Sequence, residues 1–260
     1  MISFNLLGQM GRLGNQMFQY AALYGVARRN GYGFCIPAPS EGLQISLTFP
    51  AVRARPTDAN PYAPQISERH FHFDEDIAAA CPDGVDLVGY FQSERYFDDA
   101  RDQIRAEFAF EDQVVAASRR IMESLGGEAI SLHVRRTDYV TLSDIHPPCG
   151  LDYYQRALER LPQEAPVVVF SDDLDWCREQ DLFQGDRFGL SEGRSAAEDM
   201  CLMSMCRRHV IANSSFSWWG AWLNPDPDKQ VIAPAQWFGT TGYTSSHDTR
   251  DLVPEAWARI

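Results

Sequence analysis

Positive charge is what this chain has least of: 23 lysines and arginines stand against 36 aspartates and glutamates, a formal charge of −13 over 260 residues, with a pI near 4.8. That balance opposes nucleic acid or an anionic membrane as the main partner, because both reward clustered cations. Any phosphate site must therefore be local. The six cysteines show no C-x-x-C spacing, which excludes a zinc ribbon and a thioredoxin-type redox motif. No apolar run approaches the roughly 20 residues that a membrane helix needs. The opening "MISFNLLGQM" has neither the basic start nor the length of a signal peptide. A reducing cytoplasm is the expected setting, with Cys201 and Cys206 as core residues of a helix and the glycosylation sequon at Asn213 as a coincidence.

What the chain does have is 45% hydrophobic residues, enough to bury the core of one large domain or two ordinary ones. Residues 2–7 read as a buried strand, followed by Gly-rich "GQMGRLG" and a helix from about Asn15 to Asn30 that Gly31 ends. From Pro37 to Ser67 prolines and glycines interrupt every pattern, so a long irregular connection is expected. Helical periodicity returns over 94–107 and 112–125, and Gly126-Gly127 supplies a break. This divides the chain into domains 1–126 and 127–260. In the second, strands at 129–134, 166–170, 209–212 and 230–233 alternate with helices at 152–161, 173–180, 196–206 and 215–223. Strands such as "PVVVF" are apolar on both faces, as in a parallel sheet with helices on each side, and Ser195 with Glu198 forms a capping box. The fold class is α/β.

Ligands of open parallel sheets bind beyond the carboxyl ends of the strands. Three polar clusters fall at such ends: Arg135, Arg136 and Asp138; Ser171, Asp172 and Asp173; and Asn213, Ser214, Ser215 and Phe216. Neighbouring arginines repel, so the pair is either solvated and salt-bridged or compensated by an anion, and their planar forks match phosphate oxygens. The run "ANSSFSWWG" opens a helix with small polar residues that suit an ordinary cap and an anion equally, and Trp218, Trp219 and Trp222 read as core. Asp199, one turn into its helix, reads as a dipole partner or as an acceptor for a guanine edge. His133 reads as a satisfied core histidine or a ligand contact. Asp173 and Asp175 form a D-x-D that would hold a divalent cation beneath a diphosphate, or cap a helix, or touch a nucleoside. Gly8, Gly11 and Gly14 are spaced G-x-x-G-x-x-G rather than in the dinucleotide pattern, which leaves a tight glycine turn carrying Arg12, Asn15 and Gln16.

With those residues in view, the chain resembles the α-1,2-fucosyltransferases and the wider α-1,2/α-1,6/protein-O-fucosyltransferase superfamily. "GRLGNQMFQYAALY" is similar to the amino-terminal signature of the α-1,2 branch, "HVRRTDYV" to the superfamily's H-x-R-R-x-D motif, and "DMCLMSMCRRHVIANSSFSWWGAWLNP" to its carboxyl-terminal motif. The resemblance implies a GT-B fold of two Rossmann-like lobes facing across a cleft, with GDP-β-L-fucose as donor on the second lobe and no cofactor or metal. It implies guanine contacts from His133 and Asp199 and a β-phosphate contact from Arg135 with Arg136 beside it. Asp172, Asn213, Ser214, Ser215, Phe216 and Ser217 would line the donor site. Asn15, with Arg12, Gly14 and Gln16, would reach the donor or acceptor from the first lobe, and Asp138 is the candidate base or an ion-pair partner of Arg136. The implied acceptor is a galactose-terminated oligosaccharide or glycolipid. The implied protein is the bacterial kind without a membrane anchor, cytoplasmic or peripheral at the inner membrane face. Two other readings stand beside this one: a metal-dependent glycosyltransferase centred on Asp173 and Asp175, and a non-catalytic glycan-binding protein using the Trp-rich segment.

Overall fold

The computed structural model describes residues 1–58, 60–241 and 243–260. The chain divides into two compact units, Met1–Glu111 with His247–Pro254, and Asp112–Ser246 with Glu255–Ile260. The first contains β1 (Ile2–Ser3), α1 (Leu13–Asn30), β2 (Phe34–Cys35), α2 (Gln44–Thr48), α3 (Pro50–Arg53), β3 (Gln65–Ser67), α4 (Glu75–Ala80), β4 (Asp86–Val88) and α5 (Arg101–Glu107). Its described strands form a parallel sheet in the order β2-β1-β4-β3.

Three expectations for this unit are corrected. The strand expected over 2–7 ends at Ser3, because the chain turns at once: Leu7 N–H donates to Phe4 C=O and Gln9 N–H to Leu6 C=O. The glycine turn rests on Gly8 and Gly11, both at positive φ, whereas Gly14 lies inside α1, whose first residue is Leu13. The stretch from Pro37 to Ser67 is not simply irregular, since α2, α3 and β3 fall within it. Burial drives that order: Ile45, Phe49 and Val52 are fully buried, and the Phe49 ring lies 4.9 Å from that of Phe108. Burial of apolar area overrides weak local propensity.

The second unit contains α6 (Asp112–Ser124), β5 (Ile130–Val134), α7 (Thr137–Thr141), α8 (Leu151–Glu159), β6 (Val167–Ser171), α9 (Leu174–Arg178), β7 (Phe188–Leu190), α10 (Ala196–Met205), β8 (Arg208–Val210), α11 (Ser215–Leu223), β9 (Gln230–Ala233) and β10 (Ala258–Arg259). Its described strands form a parallel sheet in the order β10-β9-β8-β5-β6-β7. Alternation of side chains sends Val167 and Val169 to one face, with Tyr154, Ala157 and Leu158 of α8, and Val168 and Phe170 to the other, with Leu202 and Met203 of α10. Both faces are therefore covered, as the continuous apolar strands require.

The boundary expected at 126 lies instead between Glu111 and Asp112. Met122 of α6 packs with Leu202, Met203 and Cys206, which binds the helix to the second unit, and Gly126-Gly127 is an internal turn at positive φ. The capping box at Ser195 and Glu198 is present. The three tryptophans of α11 are core, Trp218 and Trp219 packing edge to face at 4.9 Å. Cys201 and Cys206 are buried free thiols.

Candidate functional site at the carboxyl edge of the second sheet

Strand order decides where a site forms. From β5 the chain winds outward through β6 to β7, and from β8 it winds the other way through β9 to β10. Loops leaving β5 and β8 therefore part company at their carboxyl ends, and a crevice opens there. Arg135, Arg136, Asp172 and the turn at Asn213–Ser214 follow β5, β6 and β8, three strands adjacent in the sheet.

The arginines are neither bare nor in bulk solvent. Their side chains are 14% and 21% exposed. Arg135 pairs through Nη1 with Asp172 at 2.9 Å and through Nη2 with Asp138. Arg136 pairs through Nε with Asp173 at 3.3 Å and lies 3.9 Å above the centre of the Trp176 ring. Asp172 also accepts from the Arg136 N–H at 2.9 Å and from the Thr137 hydroxyl. Of the two readings of the pair, the salt-bridged one is present: three aspartates compensate it. Those donors hold the Asp172 carboxyl below its usual range against the opposing pull of burial. The guanidinium of Arg135 is consequently fixed in orientation before any anion meets it.

Asp138 buttresses Arg135, not Arg136. The D-x-D residues diverge: Asp173 accepts from Trp176 N–H, capping α9, while Asp175 pairs with Arg178.

His133 is buried at the end of β5, its Nδ1 within 2.9 Å of Ser217 Oγ. Burial pushes its pKa down to about 4, with Asp172 opposing and Arg135 adding to the shift. The imidazole is neutral near pH 7, and Phe216 lies 5.8 Å from it between ring centres. Asp199 accepts from the Ser191 hydroxyl, which in turn receives Arg194 Nη1 at 2.9 Å. Burial pushes its carboxyl up to about 6, against the pull of Ser191 and Arg194. This carboxylate serves a side-chain network rather than the helix dipole alone.

Ser214 occupies the cap position of α11 in an extended conformation and makes no side-chain cap. The ordinary-cap reading of that segment is therefore not realised, and the first turn of α11, with Ser215 and Phe216, retains the anion-attracting character of a helix start. Asn213 does a different job from the one expected. Its amide donates to Pro147 C=O at 3.0 Å and Trp237 C=O at 2.9 Å, and Cys149 Sγ donates to its oxygen at 3.6 Å. A side chain with both N–H donors so engaged, and buried, anchors loops.

In the first unit, Gln16 is likewise engaged with backbone: its Nε2 donates to Gly11 C=O and Gly42 C=O, and its Oε1 accepts from Ile45 N–H. That corrects its placement as a ligand contact, because its bonds tie the glycine turn to the start of α2. Gly14 is buried within α1. Arg12 is exposed at the α1 cap position, and Asn15 accepts from Gln92 Nε2 at 2.8 Å.

Sequence reasoning missed four contributors. Tyr139 donates to Asn213 C=O at 3.0 Å and lies between Arg135, at 5.2 Å, and the stacked His146 ring, at 4.8 Å. Thr137 and Trp176 hold Asp172 and Arg136, and Ser191 holds Asp199. Thr137 and Tyr139 were legible as polar neighbours of the arginines, but nothing local marks Ser191.

Comparison with known proteins adds an independent finding. The model of Glycosyl transferase family 11 matches residues 3–241. The chain is 32% identical to an alpha-1,2-colitosyltransferase of Escherichia coli, over 96% of each chain, and 30% identical to the O-antigen biosynthesis glycosyltransferase WbnK of the same organism, over 96% of this chain and 98% of the relative. It is 31% identical to galactoside alpha-(1,2)-fucosyltransferase 1 of Bos taurus, over 82% of this chain and 64% of that longer protein. Among solved structures, POFUT1 in complex with GDP superimposes with a TM-score of 0.58 over 89% of this chain and 97% of its own at 12% identity. The α-1,6-fucosyltransferase NodZ soaked with GDP-fucose does so with a TM-score of 0.53 over 86% and 92% at 17% identity. At such identity these structures bear on the α/β fold with parallel sheets.

Proposed function

Because the chain belongs to glycosyl transferase family 11, we propose that it transfers L-fucose from GDP-β-L-fucose to the 2-hydroxyl of a terminal β-galactoside, with inversion and without a metal ion. The observation that carries this reading is the fixed Arg135 fork at the tip of β5, with the start of α11, where Ser214 makes no side-chain cap, following the neighbouring strand β8. A fork and a row of helix N–H groups together suit the diphosphate of a nucleotide sugar. The linkage follows the relatives named for α-1,2 transfer, and the fucosyl donor follows the galactoside alpha-(1,2)-fucosyltransferase among them. A GT-B arrangement, donor on the second unit and acceptor on the first, belongs to the same proposal.

In the proposed reaction the acceptor hydroxyl oxygen attacks fucose C1 from the face opposite GDP as the C1–O bond to the β-phosphate breaks, the hydroxyl proton passes to water, and β becomes α. Arg135 and the α11 N–H groups take up the charge that grows on the departing phosphate. Asp172 and Asp138 keep the fork aimed, so little reorganisation is needed at the moment of bond breaking. Neutral His133 offers its remaining ring nitrogen, and Asp199 its carboxylate, to guanine. The commitment of Asp173 to Arg136 and α9, and of Asp175 to Arg178, supports the metal-free reading over the D-x-D one.

The test is turnover of GDP-fucose with lactose, N-acetyllactosamine and a type 1 galactoside, the product linkage being read by NMR. An α-1,2-fucosylated galactoside is the expected product; no fucosyl transfer to any of them, with no GDP binding by calorimetry, overturns the proposal. The colitosyltransferase relative makes the sugar of the donor a variable, so an activated colitose belongs in the same assay. Full activity in excess EDTA is expected, and its loss returns the metal-dependent reading.

A further inference from the structure

Carboxylates hold Arg135 at its edges, but a planar cation also has faces. The guanidinium carbon lies over the Tyr139 ring, 5.2 Å from its centre. Tyr139 is in turn fixed twice. Its hydroxyl donates to the Asn213 C=O at 3.0 Å, and its ring is nearly parallel to that of His146, at 16° with 4.8 Å between centres. A guanidinium, a phenol and an imidazole thus form one ladder. Nothing in the proposed reaction uses the imidazole.

Backbone places His146 with care. The chain turns just past α7, where the Ile145 and His146 N–H groups both donate to the Leu142 C=O, at 2.9 and 2.8 Å. The segment is then sewn to a second loop. Gly239 N–H donates to the Ile145 C=O at 2.9 Å, and the Asn213 amide spans Pro147 C=O and Trp237 C=O. Gly239 approaches so closely that an added Cβ would lie 1.8 Å from the Asp144 carbonyl oxygen. The Phe238 ring lies 5.5 Å from the His146 ring. The imidazole Nδ1 is buried and makes no hydrogen bond among the described residues. An apolar ring would fill the space without that cost, so the imidazole calls for another explanation.

Charge supplies one. Burial lowers the His146 pKa below its ordinary 6.5, with Asp138 opposing and Arg135 adding to the shift. The ring is therefore neutral near pH 7. Tyr139 is a neutral phenol there too, since burial pushes its pKa up to about 12. An imidazolium would instead set a second cation on the Tyr139 ring and compete for the Asp138 carboxylate that grips Arg135. The charged groups that act on His146 are Asp138 and Arg135, and those that act on Tyr139 are the same two with Cys149 and Asp172. Asp144 stands two residues before His146, and residues 237–241 of the second loop bear no charge.

We propose that neutral His146 is a positioning residue for Arg135, stacking on Tyr139 so that the ring holds the face of the guanidinium while Asp172 and Asp138 hold its edges. The inference rests on the transferase reading and adds to it a residue that acts through another. Protonation of His146 undoes the hold. Its effect falls on kcat rather than on donor affinity, because the fork takes up charge that grows only as the C1–O bond breaks.

Transfer from saturating GDP-fucose to lactose between pH 5 and 8, with GDP affinity by calorimetry and the His146 ring followed by NMR, tests this. His146→Ala should lower kcat at pH 7.5 about 10-fold while GDP affinity stays within about 3-fold. The acid limb of wild-type kcat should follow the His146 titration. His146→Phe, which restores a ring that cannot charge, should recover kcat to within about 3-fold and lose that limb. Bound GDP should raise the His146 titration, because a diphosphate offsets the Arg135 charge that lowers it. A kcat within about 2-fold of wild type in His146→Ala, an acid limb unchanged in His146→Phe, or a titration indifferent to bound GDP overturns the inference and leaves the proposed function standing. A wild type that binds GDP but transfers no fucose overturns the transfer reading, and the GDP-linked shift then decides for or against the ladder. Absence of GDP binding overturns both.

Discussion

The two sheets share a rule and differ in chemistry. Each is parallel, each reverses winding direction at one pair of strands, and each places polar loops at that point. In the second unit the loops carry two arginines and three aspartates, and in the first the groups about them are amides with the half-buried carboxylate of Glu68. Topology therefore fixes where a ligand can sit, and side-chain charge decides what kind. Ionised groups with fixed geometry suit an anion, whereas neutral amides suit partners without charge. One glycine-rich turn and one arginine pair, both short, carry that distinction.

The contrast breaks most sharply at Arg135. Arg135→Ala should lower kcat by on the order of 10²-fold or more and weaken GDP binding by calorimetry. Arg135→Lys should fail nearly as badly, because a point charge cannot reproduce a fork held by two carboxylates. Near-normal turnover in either variant removes the charged edge from the mechanism. Asp172→Asn should cost on the order of 10-fold in kcat by loosening the aim of Arg135, with a smaller change in KM, in steady-state kinetics.

Stability changes come next. A Cβ on Gly25 would lie 1.9 Å from the Tyr96 carbonyl oxygen, so Gly25→Ala should destabilise by about 3 kcal/mol, seen as a lower Tm. An unchanged Tm would mean that α1 and the Tyr96 carbonyl separate at little cost. The buried carboxylates act through pH. Glu68, raised to about 7, and Asp199, raised to about 6, prefer the protonated form in the folded chain. Their contribution is complete below the unfolded values near 4.5 and 3.8 and is lost as pH rises through about 7 and about 6 respectively. Urea denaturation of wild type and Glu68→Gln should therefore diverge in the variant's favour between pH 5 and 7 and run parallel above that. Parallel curves throughout would place the Glu68 titration elsewhere. The smallest effect belongs to Asp175→Asn, which loses one exposed pair with Arg178 and should change activity less than about 2-fold.

The carboxyl-terminal half was far more legible than the amino-terminal one, for a physical reason. Strands such as Val167–Ser171 are apolar on both faces and bounded by clear turns, so α11 and β9 fall where periodicity puts them. In the first unit β1, β2 and β3 hold two or three residues each, too short for any period to show. Arg135, Asp172 and Asp199 drew notice in the sequence because they sit just past strands or inside a capped helix. Gln16 and Asn213 were misjudged because a buried amide engaged with distant carbonyls looks, in sequence, like one available to a ligand.

Local chemistry alone set the α/β alternation, the capping box at Ser195, the core role of the α11 tryptophans and the placement of guanidinium at a strand end, since each depends on neighbours within a few residues. Only the folded chain decided which carboxylates grip those guanidinium groups, that α6 belongs to the second unit, and that Glu68 holds a strained loop 22 residues away. Such pairings join segments that parallel crossovers bring together, and no short-range pattern encodes a contact whose geometry depends on how the sheet winds.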